Sequence, residues 1–384
     1  MPYPVIANWY NNTTYFWQMK YYIIAGEASG DLHGSNLIKE LKLLDTTATF
    51  RCWGGDKMQA AGATLVKHYS ELAFMGFIEV VMNLRTIFNN LSFCKADILQ
   101  HQPDALILID YPGFNLRMAA WAKQQGFKVI YYISPQVWAW KENRVKGIKR
   151  NVDKMLVILP FEKDFYAKWQ YEVEYVGHPL VQVIDSFKEH EPVAAKEKII
   201  AVLPGSRKQE ITTKLPLMLA VANKFPGYQF VVAKAPGIET AFYDDFLKDY
   251  SNVQAVSDST YSLLAKASAA LVTSGTATLE TALFAVPEVV CYKGSAISYA
   301  IAKRLITIKY ICLVNLIMDK PVVKELIQDE LTPENIEKEV HELLNNKNQQ
   351  LQLQDDYKAL KQLLSAGGNA SANAALSISK FLLK

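Results

Sequence analysis

Cysteine is scarce here. Cys52, Cys94, Cys291 and Cys312 are the only four in 384 residues, with no CxxC pair and no histidine at ligand spacing. That pattern excludes a structural zinc site and a disulfide framework, and it suits a reducing compartment. The six histidines contain no HxxxH pair, and no DxD triplet for a nucleotide-bound divalent ion occurs. A metal-dependent reaction is disfavoured, and neither metal nor cofactor is expected. GxGxxG and GxSxG are also missing, which weakens the case for a dinucleotide site and for an α/β-hydrolase. No apolar run approaches the roughly 20 residues of a membrane-spanning helix. The net charge of +3 gives no global attraction for nucleic acid, so any polyanion site must be local. The opening MPYPVIANWYNNTTYFWQ has neither a positive charge nor an apolar h-region, so it is not a signal peptide. Met19 stands directly before the first strand pattern, and the folded protein is expected to begin there, with 1–18 a leader or tail.

The composition is that of a globular protein, half hydrophobic and 21% charged, and the length favours two domains. Short apolar runs alternate with amphipathic segments. YYIIAG, ALILID, KVIYYIS and KMLVILP read as buried strands, and SGDLHGSNLIKELKLL and NLRMAAWAKQQG as helices between them. A polar stretch at 186–198 reads as a linker, after which the pattern restarts with KIIAVLPGSR, YQFVVAKAPG, VQAVSD, AALVTSG and EVVCYKG. Alternation of this kind predicts parallel sheets covered on both faces. The expected class is therefore α/β, two Rossmann-like doubly wound domains facing across a cleft. The stretch 332–384 reads as two packing helices with a break at GGNASANAAL.

Suggestive residues fall where these strands end. In YYIIAGEASGDLHG, Gly26 and Gly30 permit close backbone approach, Ser29 and Asp31 suit helix capping, and Glu27 or Ser29 could contact a sugar or acyl chain. LILIDYPGFN ends a buried strand on Asp110, open to three readings: helix cap, metal ligand or base. Pro112 predicts an extended Tyr111, and Asn115 is the better-placed cap for the following helix. In LPGSRKQEI, Gly205 and Ser206 expose backbone N–H groups at a helix start and Arg207 adds a guanidinium, a phosphate-binding combination. TSGTATLETALF repeats the logic with Ser274, Gly275 and Thr276, while Glu280 could hold a ribose diol. Trp138 and Trp140 beside Lys141, Arg144, Lys146, Lys149 and Arg150 suit either an anionic membrane interface or one solvated helix face. Phe77, Val80, Val81, Leu84, Ile87, Phe88 and Leu91 have core-facing helical spacing. Leu72, Phe74 and Met75 fit that face less well and could line an acyl pocket or enter lipid.

Taken in order, GEASGD, ELAFMGFIEV, IDYPGFN, SPQVWAW, LPFEK, VGHP, LPGSR, SGTATLE and VNLI resemble the lipid-A-disaccharide synthase family from Met19 to about the chain end. The resemblance implies a glycosyltransferase B-type fold and a metal-independent inverting reaction. UDP-2,3-diacylglucosamine would join 2,3-diacylglucosamine 1-phosphate (lipid X) to give the β-1,6-linked lipid A disaccharide 1-phosphate and UDP. It further implies a peripheral protein, monomer or homodimer, on the cytoplasmic face of a Gram-negative inner membrane. By matching motif, Asp110 becomes the general base and Arg207 the diphosphate partner. Gly205, Ser206, Ser274, Gly275, Thr276, Glu280 and Asn315 hold UDP, and Glu27, Ser29, Gly30 and Asp31 lie near the acceptor. Leu72, Phe74, Met75, Phe77, Trp138 and Trp140 are the expected acyl or membrane contacts. The implied organisation is an acceptor domain at 19–187, a linker at 188–198, a donor domain at 199–350, and helices at 351–384 that could pack back on the first domain. Val314 stands where the family often has proline. The rival readings are a UDP-sugar 2-epimerase of the same fold, a murein-type glycosyltransferase, and a non-catalytic protein that binds lipid or nucleotide sugar.

Overall fold

The computed structural model describes residues 18–72, 84–191, 195–295, 299 and 308–384, without the side chains of Leu84 and Trp140. The chain divides into two units. One gathers Met1–Pro135, Gly147–Leu156 and Ala374–Lys384, and the other Gln136–Lys146 and Val157–Asn373.

The first sheet has the order β3-β2-β1-β4-β5-β6-β7, built from β1 (Lys20–Ala25), β2 (Thr49–Gly54), β3 (Thr64–His68), β4 (Ala105–Ile109), β5 (Lys128–Tyr132), β6 (Lys154–Val157) and β7 (Glu174–Tyr175). The second runs β10-β9-β8-β11-β12-β13, from β8 (Ile199–Leu203), β9 (Gln229–Ala233), β10 (Val253–Val256), β11 (Ala269–Thr273), β12 (Glu288–Tyr292) and β13 (Lys324–Ile327). Pairing is parallel at β1–β4 and β8–β11 and between their neighbours. All five residues of β4, and all five of β11, are buried. Such unbroken apolar runs belong to strands covered on both faces, as the sequence predicted.

Several expectations need correcting. The strands at β2, β3, β7 and β13 escaped the apolar-run criterion because they carry charged or polar residues. Arg51 of β2, for example, is tolerated because its guanidinium grips Asp97 through two hydrogen bonds of 2.8 and 2.6 Å. The linker expected at 186–198 begins inside a helix, Pro179–His190. The C-terminal stretch holds three helices, Pro333–Asn345, Lys347–Ser365 and Ala370–Leu382, not two. Of the apolar stripe, Phe77, Val80 and Val81 lie outside the described residues. In the helix Leu84–His101, Leu91 is buried as expected, but Phe88 is 61% exposed and does not face the core. Among the described residues no helix is long and apolar enough to cross a membrane.

Candidate active site

In each sheet the winding direction reverses once, between β1 and β4 in the first and between β8 and β11 in the second. Loops leaving neighbouring strands at such a reversal diverge, opening a crevice at the strands' carboxyl ends where ligands bind in this architecture. The four suggestive loops stand at these four strand ends. GEASGD follows β1, DYPGF follows β4, PGSR follows β8 and SGTAT follows β11.

At the first reversal, Asp110 and Tyr111 both have left-handed backbones, with φ of 44° and 50°. This corrects the extended Tyr111 expected from Pro112. The local preference is overridden by packing: the Tyr111 ring stacks on Phe114 at 5.7 Å and fills the space that a Cβ at Gly26 would occupy. Asn115 is no cap either. Its buried amide donates to the carbonyls of Asp110 at 2.8 Å and Ile109 at 3.2 Å, and the Tyr131 hydroxyl donates to Asp110 O at 2.6 Å. The backbone of Asp110 is thereby clamped while its carboxyl stays free of side-chain partners among the described residues. Burial, and behind it the neighbouring Glu27 carboxylate, pushes that carboxyl up to about 6, against the pull of the Tyr111 N–H. Glu27 is the N-cap residue of the helix Ala28–Leu44 and makes no side-chain capping bond. The fold thus brings Glu27 and Asp110 together, and Ser29 is exposed on the first turn beside them.

Two other residues of this loop are framework. Gly30 is buried, with the Ala25 side chain 3.0 Å from where its Cβ would be, so its smallness serves helix–strand packing. Asp31 is 3% exposed, and its oxygens accept from the backbone N–H groups of Gly55 (2.8 Å), Lys57 (3.1 Å) and Met58 (3.0 Å). It caps the distant helix Asp56–Ala60 rather than its own helix.

At the second reversal, Arg207 is the N-cap residue of the helix Lys208–Leu219 and pairs with Glu210 at 2.9 Å. The other Glu210 oxygen accepts from Ser206 N–H at 3.3 Å. Gly205, at φ +117°, has a backbone conformation that favours glycine, and a Cβ there would strike Glu210. Next to it, Gly275 and Thr276 open the helix Thr276–Leu283 and are exposed, while the Ser274 hydroxyl donates to Ile311 O at 3.1 Å. Glu280 accepts from the Tyr261 hydroxyl at 2.9 Å; burial raises its pKa and that hydrogen bond opposes the rise. Asn315, expected to touch UDP, is 1% exposed, and its amide both donates to and accepts from the Val323 backbone at 2.9 Å. It is committed to holding that turn. Sequence reading missed Glu210 and Tyr261. Glu210 had a signal, an acid at the third helical position, which is capping-box spacing.

The expected acyl contacts divide. Leu72 is buried and its carbonyl accepts from Tyr111 Oη at 3.4 Å, while Phe74, Met75 and Phe77 lie outside the described residues. Trp138 is no surface tryptophan: it is 8% exposed and packs edge-on against Phe161 at 5.0 Å. The side chain of Trp140 is also outside the description. Among the described residues, no three His, Cys, Asp or Glu side chains converge to hold a metal ion.

Two parallel doubly wound sheets, with polar loops at each reversal point, define the fold class of B-type glycosyltransferases and UDP-GlcNAc 2-epimerases. Solved structures agree. A UDP-GlcNAc 2-epimerase from Neisseria meningitidis aligns with TM-score 0.64 and 14% identity over 95% of this chain and 100% of its own. The glycotransferase of kitacinnamycin aligns with TM-score 0.65 and 16% identity over 95% and 99%. Sequence decides within the class. Residues 21–379 match the lipid-A-disaccharide synthetase family profile. The lipid-A-disaccharide synthase of Geobacter metallireducens is 42% identical over 84% of this chain and 87% of its own. That of Syntrophus aciditrophicus is 40% identical over 93% and 96%. The chain belongs to the lipid-A-disaccharide synthase family, and it is an enzyme, a glycosyltransferase.

Proposed function

We propose that the chain transfers 2,3-diacylglucosamine from its UDP derivative to the 6-hydroxyl of 2,3-diacylglucosamine 1-phosphate. Asp110 takes the hydroxyl proton as the oxygen attacks the anomeric carbon from the face opposite UDP. The anomeric C–O bond to the diphosphate breaks, a β-1,6 bond forms, and UDP leaves with the bonding electrons. Arg207, the N–H groups at Gly205 and Ser206, and those at Ser274, Gly275 and Thr276 meet the charge growing on the diphosphate. Glu280 holds the ribose diol, and Glu27 and Ser29 flank the acceptor. The observation that carries this reading is the clamped Asp110, poised near 6 at a switch point with its carboxyl free of side-chain partners among the described residues. A base with that affinity is mostly ionised at neutral pH yet still basic enough to share a proton in the transition state.

The test uses purified protein with both acylated substrates, following UDP release and product mass. Release of UDP only when the acceptor is present, with one disaccharide 1-phosphate formed, is the expected result. Conversion of UDP-GlcNAc alone into a second sugar would favour the epimerase reading, and binding without turnover would favour a non-catalytic protein. Because both substrates are acylated, the reading extends to peripheral association with the inner-membrane surface. Anionic vesicles should sediment the protein at low salt and release it as salt rises.

A further inference from the structure

The phosphate-type turn after β8 already holds an anion, the protein's own. Arg207 Nη1 donates to Glu210 Oε1 at 2.9 Å, Ser206 N–H donates to Oε2 at 3.3 Å, and Gly205 lacks the Cβ that would exclude that carboxylate. These are the donors that a diphosphate would need. One turn further along the same helix, Lys214 is 3% exposed. Burial lowers its pKa, the Glu210 carboxylate and then the Cys291 thiol raise it, and Arg207 lowers it again, so Lys214 feels both members of the pair in the turn. Glu210 is thus the counter-charge that the turn presents to Arg207, with its field reaching Lys214.

We propose that Glu210 is a seat-holder: in the empty enzyme its carboxylate occupies the diphosphate position and must be displaced before UDP or its sugar can bind. The idea rests on the phosphate reading of this turn given above. A plain helix-capping role explains the Ser206 contact but gives no reason for the same carboxylate to pair with the Arg207 guanidinium as well. When a diphosphate arrives, it replaces Glu210 as partner of Arg207 and of the Ser206 N–H. When UDP must leave, Glu210 returns and lowers the cost of vacating a cationic turn. Glu210 is accordingly a positioning residue that sets nucleotide affinity and release.

Inorganic pyrophosphate is the probe, since it reads the turn without help from uridine, and calorimetry on the intact chain gives its Kd. Glu210→Gln keeps an acceptor for Ser206 N–H and removes the charge; it should tighten pyrophosphate roughly two- to fivefold, the worth of a partly exposed ion pair. UDP release in single-turnover experiments should slow by a similar factor. Glu210→Ala, which also removes the acceptor, should tighten pyrophosphate too, whereas a pure cap would give no gain in either variant. Arg207→Gln should lose pyrophosphate binding. Unchanged or weaker binding in both Glu210 variants, with binding still lost in Arg207→Gln, overturns the seat-holder. Undiminished binding in Arg207→Gln instead overturns the phosphate turn itself, and the proposal with it.

Discussion

Asp110→Asn is expected to cut turnover by roughly two to four orders of magnitude, the usual contribution of a general base, while raising thermal stability. The stability gain follows from sign. Burial and Glu27 push the folded-state carboxyl up to about 6, above its ordinary 3.8. Below the lower value the group is protonated in folded and unfolded chains alike, and it costs nothing. Between the two, the folded chain keeps a proton that the unfolded chain has lost, so stability falls as pH rises. Above about 6 both forms are ionised and the penalty is complete, about 3 kcal/mol at about 1.4 kcal/mol per tenfold change. Asparagine carries no charge, tolerates the left-handed backbone at this position, and can still accept the Tyr111 N–H. The variant should therefore gain roughly 2–3 kcal/mol at pH 8 and about half that at pH 5. Denaturant melts at both pH values check this, and kcat/KM of the unmodified chain should fall on an acid limb near pH 6. A variant that keeps its turnover would remove Asp110 from the chemistry. One that loses turnover and stability together would make the residue structural.

That combination marks what was readable in the sequence and what was not. The placement of the suggestive loops at strand ends was readable, because apolar runs such as ALILI and AALVT stop abruptly at polar turns. The acid after β4 and the arginine after β8 are adjacent in sequence to the strands that position them. The αL conformation of Tyr111 was not readable. The proline rule describes a dipeptide, whereas the ring's packing against Gly26 joins segments some 85 positions apart, a separation no local rule can span. Trp138 failed for the opposite reason. A basic neighbourhood predicted an interface, but the ring finds Phe161 and the apolar residues of β8 and β11's unit, and burial of so large a side chain outweighs the charges beside it. Asn315 shows what a matched motif leaves unsaid: its amide exchanges two hydrogen bonds with a backbone eight residues away.

Asp31 carries the other large expectation. Read locally, an acid on the first turn of a helix after a glycine-rich strand end looks like a cap or a ligand contact. In the folded chain its two oxygens take three backbone donors from a segment 24 to 27 residues later, at Gly55, Lys57 and Met58. The helix they belong to, Asp56–Ala60, is barely more than one turn, far too short to persist without outside support. Gly55 contributes to the same contact, since a Cβ there would press on both the Asp31 carboxylate and the Tyr69 ring. Asp31→Ala leaves these donors without an acceptor in a place water does not reach freely. The expected loss is about 3 kcal/mol, short of three full hydrogen-bond penalties because the short helix can shift. For a unit of this size that corresponds to a fall in melting temperature of roughly 6–10 °C. In protein still folded at low temperature, KM for the acylated acceptor should stay close to its original value. A rise in KM of tenfold or more with an unchanged melting temperature would return Asp31 to the acceptor site and remove its structural role.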